Sequence, residues 1–325
     1  MRAAYCIIES FRYLEETVFR VMETLFRGIR MKTFTERDFI TYPRRFKAYK
    51  WYKPILTGLL LFVFLFITNM AVRYITKAVF HTTVINTGYD DIDFYSAAGA
   101  FKNCAMIACY IPSIILAALI VRDRPVSSYW SSMGGWRWKV FFRALGAGFV
   151  IFGIPNTVVL LLMGNSGVIR LSPGGLLMLI LFLPLQCIAE ELLYRSYIMQ
   201  TAGSWFKVSV IGLIVQIMVF TAAHNYNIAG RVSIALTALV YGVICVITKG
   251  IEVSSAFHFV NNAVTIFLTG MGFGSITADQ SAFSTAFNLV LMILLLLFIL
   301  YADRKLHWFD EVKKDDVTAF NEKGR

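Results

Sequence analysis

Within one apolar stretch, Gln186-Cys-Ile-Ala-Glu190-Glu191-Leu-Leu-Tyr-Arg195 sets two carboxylates and a guanidinium within about two helical turns. Further along, Phe220-Thr-Ala-Ala-His224 ends an apolar run with an imidazole, and His258-Phe-Val-Asn-Asn262 puts a second imidazole one turn from an amide. Ionisable groups inside membrane helices are costly, so they usually face a cavity or a partner and mark function. Glu191 and Arg195 stand at i and i+4 with the acid first, the order that pairs best on one face. Glu190 is rotated away from that pair. A desolvated carboxylate with no cation of its own, beside a second carboxylate, suits a general base working near neutral pH. His258 and Asn262 share a face and offer two donors to one point, where they could hold the oxyanion formed when water attacks a carbonyl.

Each residue also has a plainer explanation. Glu191 with Arg195 reads equally as an ion pair near the headgroups, His224 as an interfacial cap, and His258 as a hydrogen-bonded core histidine. Asn262 could bridge helices, and Phe220 reads as packing. Glu190 is the hardest to explain away, because a second acid beside the first in an apolar helix needs its own reason.

Elements that could position these groups must be membrane helices. The chain has 325 residues, of which 58% are hydrophobic, 15% aromatic and only 16% charged, more apolar surface than one soluble core could bury. Its net charge of +11 comes from Lys and Arg that gather outside the apolar runs, where they meet anionic lipid headgroups; nucleic acid is not an expected partner. Five cysteines, Cys6, Cys104, Cys109, Cys187 and Cys245, show no CxxC spacing and read as small buried hydrophobes.

Runs long enough to span a membrane fall at about 55–76, 104–121, 142–163, 174–195, 206–224, 231–248, 253–270 and 283–301. The expected fold is therefore all-α, a polytopic membrane helix bundle of about eight spans around a polar intramembrane cavity. Residues 5–30 carry Ile7, Ile8, Phe11, Leu14, Val18, Met22 and Leu25 at helical spacing, opposite Glu15, Arg20 and Arg27, and predict an amphipathic surface or packing helix. The first 53 residues lack a short apolar stretch followed by a small-residue cleavage site, so the first spanning helix is expected to anchor the protein itself.

Basic residues Arg44, Arg45, Lys47, Lys50 and Lys53, the loop with Arg122, Arg124, Arg137, Lys139 and Arg143, and the tail after Tyr301 share one side. The positive-inside rule makes that side the cytoplasm and places both termini there, in a cell membrane. Asp90, Asp91 and Asp93 fall on the other side with the Gly270–Ser275 segment, and the tail reads as a short solvated extension.

The polar groups together resemble the CPBP family, the CAAX-protease and bacteriocin-processing group of intramembrane endopeptidases, whose pattern is EExxxR, FxxxH and HxxxN on successive helices. Glu190-Glu191-x-x-x-Arg195, Phe220-x-x-x-His224 and His258-x-x-x-Asn262 match in order, and the resemblance covers roughly 140–270. The divisions that follow are a leader at 1–53, N-terminal helices and basic loop at 54–139, a catalytic core at 140–270, a final helix at 271–301 and a tail at 302–325.

The resemblance implies hydrolysis of a peptide bond in a membrane-associated peptide or a prenylated protein. Glu190 would activate water and His224 assist. His258 and Asn262 would bind the oxyanion, and Arg195 would order Glu191. No cofactor is expected; were zinc used, Glu190, His224 and His258 would be its ligands, although HExxH is absent. The competing readings are a non-catalytic membrane partner in signalling or bacteriocin immunity, and a proton-coupled transporter. Substrate identity and oligomeric state are not legible. One difficulty is geometric: with a helix ending near Arg195, Glu190 and His224 lie toward opposite faces, and they meet if that helix runs on toward Gln200 and the next starts well inside the cytoplasm, or through strong tilts or a water-filled cavity.

Overall fold

A computed structural model describes residues 38–84, 92–163, 167–274, 276–277 and 279–323. The amphipathic segment 5–30, Cys6, Asp90, Asp91 and Ser275 lie outside the described residues. Helices α1 (Lys53–Phe80), α2 (Ala97–Val121), α3 (Trp138–Leu162), α4 (Pro173–Phe206), α5 (Ser209–Ala222), α6 (Ile228–Thr248), α7 (Glu252–Gly270) and α8 (Ala282–Lys305) follow the eight apolar runs in order. A short α9 (Asp316–Lys323) closes the chain. Among the described residues the fold is all-α, with only an isolated bridge between Ser131 and Gly250.

Six of these helices, α1 to α4, α6 and α8, are long and apolar enough to cross a membrane. The chain is a multi-pass membrane protein. Of the eight apolar runs, α5 and α7 fall outside this set: α5 has 14 residues, about 21 Å of rise against a hydrocarbon core of about 30 Å, and α7 carries polar residues along its length. α1 turns Leu59, Phe62, Val63, Phe66 and Ile67 outward, as a lipid-facing helix does.

Local sequence explains where several helices start. Ser96, Ser172, Asn227 and Ser281 each accept the backbone N–H three residues on, capping α2, α4, α6 and α8. Before α2, burial alone would raise the Asp93 carboxyl, but the Ser96 hydroxyl and the N–H groups of Ser96 and Tyr95 donate to it and hold it below the usual range. At the other end, Arg122, Lys207 and Lys249 close α2, α4 and α6 in the left-handed conformation, placing cations at helix C-termini.

The largest departure from the sequence reading is α4. It continues past Arg195 to Phe206, 34 residues in all, through a π-helical stretch at Leu192–Ile198. The polar end survives as helix because it is buried by the segment before α1. Gln200 donates to the Phe39 carbonyl at 2.9 Å, and a Cβ on Gly203 or Gly212 would run into Ile40. From Phe206 back to Glu190 is about 24 Å of rise, and α5 returns over about 21 Å, so Glu190 and His224 reach similar depth. The expected conflict between the faces came from ending α4 too soon.

Two charged groups read as topological signals have structural work at this basic end. Arg137, fully buried, grips Glu252 in the first turn of α7: Nε donates to Oε1 at 2.8 Å and Nη2 to Oε2 at 2.9 Å. Its remaining donors reach the carbonyls of Thr248 (2.7 Å) and Phe309 (3.0 Å), so the start of α7, the end of α6 and the tail are tied together. Arg124 stacks 3.7 Å over Tyr129 and donates to Gln200. The tail is likewise not a solvated extension. Lys313 donates to the Met133 carbonyl at 2.8 Å, Phe309 and Asp316 are buried, and Phe320 meets Phe46 edge-on at 5.6 Å.

Candidate active site

α4 packs against α2, α5 and α7, and α7 against α3, α4 and α6, so the helix with Glu190 and Glu191 lies between the one that ends at His224 and the one with His258 and Asn262. α4 is irregular there. Pro184 removes one backbone donor just before Glu190, and the π-helical stretch begins immediately after Glu191. Such widened turns re-aim side chains without ending the helix.

Glu191 and Arg195 are both fully buried and pair at 3.1 Å, as their spacing predicts. Glu191 Oε1 also accepts a hydrogen bond from His258 Nδ1 at 2.9 Å. His258 therefore spans the two carboxylates, with its Nε2 lying 3.8 Å from Glu190 Oε2. Glu190 keeps 12% of its side chain accessible and His258 10%, whereas Glu191 keeps none. The two acids thus differ in surroundings: one is sealed in an ion pair, the other keeps some accessible surface.

The Arg195 guanidinium lies 4.4 Å over the Phe220 ring and 5.6 Å from the Tyr241 ring centre. Phe220 in turn meets Tyr194 edge-on at 4.8 Å and the His224 ring at 4.5 Å. Phe220 is packing, as expected, but what it packs is the site: it couples the arginine of one motif to the histidine of the next. His224 Nδ1 is bonded to the Phe220 carbonyl at 2.7 Å. A carbonyl only accepts, so Nδ1 carries a proton, and in the neutral form of the ring the lone pair is at Nε2. No ion pair within 4 Å joins His224 to Glu190 among the described residues; through Phe220, His224 is linked to Tyr194 and to the Arg195 that pairs with Glu191.

Asn262 does not point with His258 at one partner. Its Nδ2 lies 3.5 Å from Gln186 Oε1 and 3.6 Å from Cys187 Sγ, while its Oδ1 accepts from Asn261 at 3.0 Å. Gln186 and Tyr241 are the site residues that motif reasoning missed. Gln186 could have been found, since it stands four residues before Glu190 and so on the same face. Tyr241 lies in the middle of apolar α6 and carries no local signal. Cys104, Cys187 and Cys245 are buried and free, as expected, whereas Cys109 is free and only half-buried. Among the described residues no group of three or more His, Cys, Asp or Glu side chains gathers as a metal-binding set.

A family model described as type II CAAX prenyl endopeptidase Rce1-like matches residues 172–264. Residues 172–264 carry an Rce1-like domain. The Rce1-like segment begins at the cap of α4 and reaches into α7, so it contains every residue of the three motifs together with Gln186 and Tyr241. It leaves out α1 to α3, α8 and the tail. No curated protein and no solved structure matches the chain.

Proposed function

We propose that the chain is an intramembrane endopeptidase in which Glu190 activates the water that attacks a peptide carbonyl. The observation that carries this reading is the placement of Glu190 Oε2 opposite His258 Nε2, 3.8 Å apart with both side chains slightly accessible, within the Rce1-like segment. That gap is too wide for a direct hydrogen bond and suits a water bridging both groups.

In this reading Glu190 takes a proton from the water as its oxygen attacks the carbonyl, and His224 Nε2, the free acceptor of that ring, helps to orient the water. With Nδ1 bonded to Glu191, the doubly protonated form of His258 donates from Nε2, and in that form it stabilises the developing oxyanion together with an Asn262 N–H. Arg195 holds Glu191, and Glu191 holds His258. The reading assigns no metal to the site. Transport is less well supported, because Glu190, Glu191, Arg195 and His258 form one compact cluster.

The substrate proposed is a peptide that reaches the site from the membrane, with a prenylated C-terminus as the first candidate. The test is a cleavage panel in proteoliposomes: matched peptides with and without a farnesyl group, read by mass spectrometry. Cleavage restricted to the farnesylated peptide is expected. Equal cleavage of both would remove prenylation from the substrate class, and cleavage of neither, for this or any membrane-associated peptide offered, would contradict the protease reading.

A further inference from the structure

Gln186 joins two groups that the proposed mechanism uses separately. It is buried on α4, one turn before Glu190, and its Nε2 donates to Glu190 Oε1 at 2.5 Å. A carboxylate offers no proton, so the direction of this bond fixes which way the amide faces. Gln186 Oε1 must then point the other way, where Asn262 Nδ2 approaches to 3.5 Å and the Cys187 thiol donates at 3.3 Å. Asn262 is oriented in turn: its amide nitrogen faces Gln186, so its Oδ1 faces the Asn261 amide at 3.0 Å. All three amides are therefore polarised in one direction, from Asn261 through Asn262 and Gln186 to the carboxylate.

We infer that Gln186 is a positioning residue that sets Glu190 and Asn262 as one unit, fixing the base on α4 and the amide donor on α7 by a single side chain. The inference rests on the protease reading for its catalytic meaning, but the tie itself does not. It engages Glu190 Oε1 and leaves Oε2 for the water, and it turns the Asn262 amide nitrogen, which also lies 3.6 Å from Cys187 Sγ, toward α4. A mere packing residue at this position would have no reason to be an amide. Methionine has nearly the same length and volume and would fill the space.

Two measurements test the tie and its role. The first is a double-mutant cycle on unfolding of the purified protein in micelles, with Gln186→Met, Glu190→Met and the double variant. Coupled losses, smaller in the double variant than the two singles summed, are expected; additive losses overturn the inference. The second is cleavage kinetics of Gln186→Met in proteoliposomes. A hydrogen bond to a charged group is worth enough to predict a kcat lower by about 10- to 100-fold with KM unchanged. A raised KM with unchanged kcat would show that Gln186 serves substrate binding or general packing, and would also overturn it. If the cycle shows coupling while the wild type cuts no peptide, the tie stands and the protease reading falls.

Discussion

Glu190→Gln is expected to lower kcat for peptide cleavage by on the order of 10²- to 10⁴-fold, the range contributed by a positioned general base. Glutamine has the shape of glutamate and can still accept the Gln186 hydrogen bond at its carbonyl, so the site keeps its packing. What it loses is basicity toward water. Glu190 is also the acid with no guanidinium of its own, since Arg195 lies against Glu191 at 3.1 Å. Unfolding of the variant in micelles should therefore match the wild type, and substrate affinity should be little changed. Turnover measured beside a thermal melt checks both halves. An unaltered kcat would remove Glu190 from the chemistry, and a large loss of stability would make it structural.

Arg195→Met is expected to cost about 3–5 kcal/mol of stability, the usual penalty when one partner of a buried ion pair is removed and the other charge is left behind. Neither Glu191 nor Arg195 reaches solvent. The guanidinium also sits over Phe220 and Tyr241, a contact that methionine cannot replace electrostatically. Because Glu191 holds His258, the variant should lose activity as well as stability. Glu191→Gln combined with Arg195→Met leaves no buried charge unpaired, so the double variant should recover much of the stability while activity stays low. Denaturant unfolding in micelles distinguishes these outcomes. If Arg195→Met unfolds like the wild type, the pair is more solvated than its geometry indicates.

Most of the helices were legible because they are apolar runs bounded by polar residues, and a chain segment in lipid has few other ways to satisfy its backbone. Where α4 ends was not legible. Gln200, Thr201 and Ser204 look like the start of a loop, and they remain helical only because Phe39 and Ile40, far away in sequence, cover that end. Arg137 and Glu252 illustrate the same limit: one reads as a loop cation and the other as an isolated acid, and only the folded chain places them 2.8 Å apart. Within the site, pairs on one helix could be read from spacing, as Glu191 with Arg195 was. Contacts between helices, such as His258 on Glu191 or Asn262 near Gln186, leave no trace in local spacing.

The most direct test of the central claim is cleavage of a farnesylated peptide in ¹⁸O-labelled water by wild-type protein in proteoliposomes, beside Glu190→Gln. The account predicts a new C-terminal carboxylate carrying one ¹⁸O atom from solvent with the wild type, and next to none of that product with the variant. Equal product from both proteins, or no new terminus from either with any membrane-associated peptide offered, would contradict it.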